Sequence, residues 1–179
     1  MTQKVFTRIL RATLPVTEFA RKFRSERSVQ ELCGECPNYG RRWGCPPLSE
    51  AEQRCVADYE QIELWVVQIF PSSSDSPISE AYVMINAQRD VLEPQMLARE
   101  AEVGGRAALF TGMCLHCPGQ ACERVHGKPC RHSDLVRPSL EALGFDLGRV
   151  VKEVFDIEML WGHDGRVPAY LTIVGGVFL

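Results

Sequence analysis

An α/β domain, a mixed sheet flanked by helices, is the fold class this sequence predicts, and three observations predict it. Residues 61–70, QIELWVVQIF, are rich in β-formers and apolar on both faces, as a strand covered by helices on each side must be. Segments with helical starts and helical apolar spacing lie before and after it. The chain has 179 residues, 45% of them hydrophobic, enough for one core but short for two full domains, so residues 1–179 read as a single domain.

Taken in order, residues 4–14 read as an opening strand. Pro15-Val16-Thr17-Glu18-Phe19 then starts a short helix, with Phe19 and Phe23 one turn apart on its inner face. The stretch LCGECPNYGRRWGCPPL, residues 32–48, is too irregular for a helix or strand and reads as a long loop. Ser49 and Glu52 have capping-box spacing and open a helix that carries Cys55. After the strand at 61–70 comes the polar loop PSSSDSP. From Ile78 onward, Tyr82, Ile85 and Leu92 recur at helical spacing, and Pro94 is expected to divide that helical region in two. GGRAALFTG fits either a strand or a continued helix. A second cysteine loop fills 112–137; Pro138-Ser139 then starts a short helix closed by Gly144, and a further helix or turn leads into VFDIEML. Asp164-Gly165 is a hairpin signal before VPAYLTIVGGVFL, giving the sheet an antiparallel carboxyl-terminal hairpin.

Charge and hydropathy remove some function classes. Twenty basic against twenty-three acidic residues give a net charge of −3, without the positive field that draws nucleic acid to a surface. No apolar run is long enough to span a membrane, and MTQKVFTRILRATLP is too charged for a signal peptide, so a cytoplasmic protein is expected. In reducing cytosol eight cysteines point to metal or redox chemistry rather than disulfides. Four bridges in a secreted protein are the bland alternative.

Seven of those cysteines lie in the two loops: Cys33, Cys36 and Cys45 in the first, and Cys114, Cys117, Cys122 and Cys130 in the second. The second group reads C-x2-C-x4-C-x7-C, four soft thiolates within seventeen residues, so one loop can wrap a metal centre unaided. A thiolate-held cluster carries negative charge that cations and backbone N–H groups must offset. Residues 113–137 hold four basic side chains against two acidic ones, and Arg41 and Arg42 outnumber Glu35 in the first loop. Glycines at 34, 40, 44, 112, 119 and 127 and prolines directly after Cys36, Cys45 and Cys117 shape the loops, although such residues also mark ordinary turns.

Zinc is the other metal to weigh. The pairs Cys33/Cys36 and Cys114/Cys117 could form one four-ligand site across the fold, which would leave Cys45, Cys122 and Cys130 unexplained. An iron–sulfur cluster on Cys114, Cys117, Cys122 and Cys130 uses every thiol of its loop, and the three-cysteine first loop then suits a cluster with an open position or an outside fourth ligand. Ligand count therefore favours iron–sulfur. The C-x-x-C at 33–36 also invites a thiol–disulfide reading, but Pro37, Asn38, Tyr39 and Gly40 after it indicate a turn. Cys55, in a helix away from the loops, reads as an inert thiol. His116 and His132 could ligate or donate to sulfur, with solvated loop histidines the plainer reading; Tyr39 and Trp43 could cover a centre or simply anchor their loop.

The pair CGECPNYGRRWGCPP and CLHCPGQACERVHGKPCRHSDLVRPSLEALGFDL resembles a domain-of-unknown-function family of bacteria and archaea described as predicted metal-binding proteins. The likeness runs from the first loop to the helix after the second. It implies metal or iron–sulfur binding by Cys33, Cys36, Cys45, Cys114, Cys117, Cys122 and Cys130, and it brings no reaction with it. The gaps around Cys122 are where this chain departs most from that pattern.

The expected function is thus a metal-binding protein, with a [4Fe-4S] cluster on Cys114, Cys117, Cys122 and Cys130, acting in electron transfer with a redox partner protein or as an accessory to a redox enzyme. No Ser/His/Asp order, P-loop or dinucleotide fingerprint supports independent catalysis. The alternative is a non-catalytic module in which zinc braces a protein-interaction surface.

Overall fold

The computed structural model describes residues 5–73 and 75–179, with residues 26–30, 54 and 55 described by backbone alone. Four strands, β1 (Phe6–Pro15), β2 (Gln61–Phe70), β3 (Arg106–Ala108) and β4 (Leu171–Phe178), form one sheet in the order β1-β2-β4-β3. The α/β class holds. The ladders β1–β2, β2–β4 and β3–β4 are all antiparallel, and parallel pairing enters as the isolated bridge Leu109↔Ser139.

β2 is central, as its double-sided apolar pattern requires. Ile62, Leu64 and Val66 face one core with α1 (Val16–Phe23) and α5 (Leu147–Phe155). Trp65, Val67 and Ile69 face a second core under α4 (Ser79–Val103). Strand alternation at period two is what divides one apolar run between two cores. Phe19 and Phe23 are buried as expected, with ring centroids 5.4 Å apart, and Phe145 meets Phe19 at 4.6 Å. β1 is an edge strand, half exposed, with Arg8 and Arg11 on it; charge on an edge deters pairing with another chain.

Four local expectations change. First, residues 32–35 are not loop but the last residues of α2 (Glu26–Glu35), which ends at Cys36. Second, α4 runs unbroken through Pro94. Pro94 is exposed, so water can satisfy the carbonyl at 90 that loses its helical donor, while Leu92, Glu93 and Met96 hold the inner face against the sheet. Third, Tyr82 is 73% exposed; the inner face of α4 is made by Ala81, Met84, Leu92 and Met96, small or flexible side chains that let the helix approach β4. At Gly175 of β4 an added Cβ would lie 2.8 Å from Met96 Cε. Fourth, Ser139 to Gly144 make a single helical turn, not a helix. Leu140 and Phe145 are both drawn into the core, and the Phe145 N–H donates to the Leu140 carbonyl across the turn.

The capping box forms: Glu52 N–H donates to Ser49 Oγ at 3.3 Å and Ser49 N–H to Glu52 Oε2 at 2.9 Å, opening α3 (Glu50–Arg54). GGRAALFTG supplies β3, α4 having ended at Gly104 with φ +63°. Asp164 and Gly165 have positive φ, and Arg166 N–H donates to the His163 carbonyl, closing the expected turn. Residues 157–162 form no strand; the antiparallel partners of the carboxyl-terminal strand are β2 and β3. The described helices include none long and apolar enough to cross a membrane.

Candidate metal centre

The two cysteine segments, far apart in the sequence, meet at one cavity. The first leaves α2 through successive turns: Tyr39 N–H donates to the Cys36 carbonyl, Gly40 N–H to Pro46, and Cys45 N–H to Arg42. Cys33 is thereby at the carboxyl end of a helix, where the dipole opposes a thiolate, unlike the amino-terminal setting that activates redox C-x-x-C pairs. The Cys33 thiol is pushed up in pKa by burial, then by Cys36 and by Glu141.

The second segment is tied at both ends. Leu109 N–H donates to the Pro138 carbonyl, and Leu109 bridges Ser139, so residues 110–138 leave and return at one point. At the entrance, Arg89 of α4 donates from Nη1 to the Met113 carbonyl at 2.9 Å, close enough that a Cβ on Gly112, φ +132°, would lie 2.8 Å from that nitrogen. At the exit, Arg137 pairs with Glu100 of α4 at 2.5 Å.

Cys33, Cys36, Cys45 and Cys114 line one cavity of about 150 Å³. Its walls include Tyr39 and His116, the Arg89–Glu93 pair, and Glu141. Arg89 and Glu93 are 4% and 5% exposed and joined at 2.7 Å. Burial pushes the Glu93 carboxyl up, with Arg89 and then His116 pulling the other way. Glu141 is pushed up by burial as well, although Thr111 and Ser139 hydrogen-bond to it, and its Oε2 is shut from solvent without a hydrogen-bond partner. None of Arg89, Glu93 and Glu141 was singled out in the sequence. The available signals were an i, i+4 Arg/Glu pair in a helix and an acid between Leu140 and Leu143, patterns common on solvated faces too.

The second set gathers around Cys114. Its thiol is raised by burial, lowered by the backbone N–H of His116, and raised by Cys130, Cys117 and Cys122. The His132 N–H points to Cys130 Sγ at 3.4 Å. The two histidines therefore serve sulfur through their backbones, with rings 6.0 Å apart. Cys45, by contrast, is raised by burial and by Cys36 and Cys33, and Arg124 and Arg42 oppose that rise. The thiols thus fall into a trio, Cys33/Cys36/Cys45, and a quartet, Cys114/Cys117/Cys122/Cys130, with Cys114 of the quartet on the trio's cavity.

The loops are joined as well as adjacent. Arg124 donates to the carbonyls of Arg42 at 2.7 Å and Pro47 at 2.6 Å, and stacks over Trp43 at 5.3 Å; Trp43 Nε1 donates to the Lys128 carbonyl at 3.1 Å. Trp43 is a loop-to-loop anchor, and Tyr39 lines the cavity, as Phe110 does. Arg131 pairs with Glu123 and reaches Gln120 within the second loop.

All seven of these cysteines are free thiols, half-buried except for exposed Cys36; the side chain of Cys55 lies outside the described residues. Among the described residues no three His, Cys, Asp or Glu side chains converge on a point that would hold a single ion. The donor set nevertheless suits a soft metal centre: reduced thiols in two groups, N–H groups directed at sulfur, and arginines bearing on the thiols.

Fold and site together define a small α/β protein of metal-binding type with seven free thiols on two joined segments. The chain belongs to the family of predicted metal-binding proteins DUF2284, whose profile matches residues 20–179. No curated protein and no solved structure matches it significantly.

Proposed function

We propose that this metal-binding protein carries a [4Fe-4S] cluster on Cys114, Cys117, Cys122 and Cys130 and serves in electron transfer to a partner protein or as an accessory to a redox enzyme. The observation that carries the reading is four free thiols on one segment whose ends are tied together at Leu109 and Ser139, with the His132 N–H directed to Cys130 Sγ at 3.4 Å. Hydrogen bonds of that kind disperse thiolate charge and adjust a cluster's potential. When bound, such a cluster supplies one-electron redox chemistry.

This chain's own part is to hold the four sulfurs, offset their charge and restrict water. The His132 N–H meets sulfur, and Trp43 and Arg124 pack the second loop onto the first. The role requires thiols that stay reduced, which supports a cytoplasmic setting. Mild net acidity argues against a nucleic-acid partner and leaves a redox protein as the expected one.

Anaerobic purification tests this. A brown protein with iron and acid-labile sulfide in equal amounts is the expected result. A colourless protein with stoichiometric zinc would overturn it in favour of the zinc-braced interaction module.

A further inference from the structure

The quartet leaves Cys33, Cys36 and Cys45 unused, and three thiolates do not complete a four-ligand centre. The cavity they line also holds Cys114, His116, Glu93 in its pair with Arg89, and one further acid. Glu141, on the turn between Ser139 and Gly144, lines the same cavity and has an oxygen, Oε2, that is closed to solvent and accepts no hydrogen bond. Leaving a buried carboxyl oxygen unpaired costs stability, and such an atom calls for a partner that the polypeptide itself does not supply.

We propose that the first loop builds a second metal centre, separate from the quartet, in which Cys33, Cys36 and Cys45 supply three thiolates and Glu141 Oε2 the fourth ligand. Cys114 is the competing candidate, since it too lines the cavity. Cys114 opens the C-x2-C-x4-C-x7-C run of the second loop, whereas Glu141 has an oxygen on which no hydrogen bond falls, so each group has its own fourth donor. Thr111 and Ser139, bonded to the carboxyl, hold it in place. The Arg89–Glu93 pair closes the wall beside it without contributing net charge. A hard oxygen ligand among three soft ones also exchanges more readily than a fourth thiolate, which makes this the position where a small ligand in the cavity would reach the metal.

This goes beyond the quartet reading and is tested apart from it. In a C117S background, which removes the quartet, protein reconstituted anaerobically with ferrous iron and sulfide should keep iron, and adding C45S should remove it. Adding E141Q instead should lower iron retained after desalting at least about tenfold, the usual scale for loss of a metal ligand or its support. In the full chain, E141Q should alter one of two sets of electron paramagnetic resonance signals and leave the other. Metal-free E141Q should melt close to metal-free parent, since the isosteric amide keeps an oxygen for Thr111 and Ser139 and leaves no further polar atom unpaired. Unchanged iron content and spectra in E141Q would overturn the proposal, and so would equal destabilisation of the metal-free and reconstituted proteins, which marks a purely structural glutamate.

Discussion

The Arg124 guanidinium donates to the backbone carbonyl of Cys45 at 2.5 Å, so a cation of the second loop sits on the chain of the first, 79 residues away. With its bonds to Arg42 and Pro47, one side chain satisfies three carbonyls of a loop that has no regular structure to satisfy them. R124A should destabilise the protein by about 2 kcal/mol and speed amide exchange over residues 40–47. R124K should recover little, because a lysine ammonium cannot present the planar fork. Hydrogen exchange of the two variants checks both statements.

Separation of ligands from bystanders is testable by metal analysis. Cys117→Ser should abolish the quartet centre and loosen residues 112–137, and Cys55→Ser should leave metal content unchanged. Equal metal loss in the two variants would contradict the division.

Glu100 links α4 to the second loop and β3. Burial acts to raise its pKa, but the hydrogen bonds from Arg137 and Ala107 N–H, with the charges of Arg137 and Arg106, outweigh burial and leave it below the ordinary 4.5. A lowered pKa means that folding favours the ionised form. The stabilisation is complete above the ordinary value and vanishes as pH falls through the lowered one. Melting temperature in the wild type should therefore fall on acidification below about pH 4.5, and in E100Q that dependence should be shallower. Indistinguishable pH profiles for the two would remove Glu100 from this role.

P94A should raise the melting temperature without changing metal content. It restores a backbone donor inside a continuous helix at an exposed position, where alanine is favoured over proline by as much as about 3 kcal/mol. Part of that gain is offset because proline also restricts the unfolded chain. A lower melting temperature in P94A would indicate that the proline is needed for the helix's path.

Much of this architecture is local chemistry and could be read from the chain. Ile62 to Ile69 announce a strand covered on both faces, Ser49 and Glu52 announce a cap, and seven cysteines in two short segments announce two sets of thiols, because each is set by neighbours within a few residues. Pro94 misleads for the opposite reason: its local preference to break a helix is weaker than the burial of Leu92 and Met96 against the sheet. The grouping of the thiols is likewise non-local. Sheet order β1-β2-β4-β3 and the bridge Leu109↔Ser139 bring residues 33–45 against 110–141. Composition and spacing thus determined which thiols the two segments carry. Only the tertiary structure decided that Cys33, Cys36 and Cys45 share a cavity with Cys114 and Glu141, since that juxtaposition depends on contacts between residues 69 to 108 positions apart, on which no short-range pattern bears.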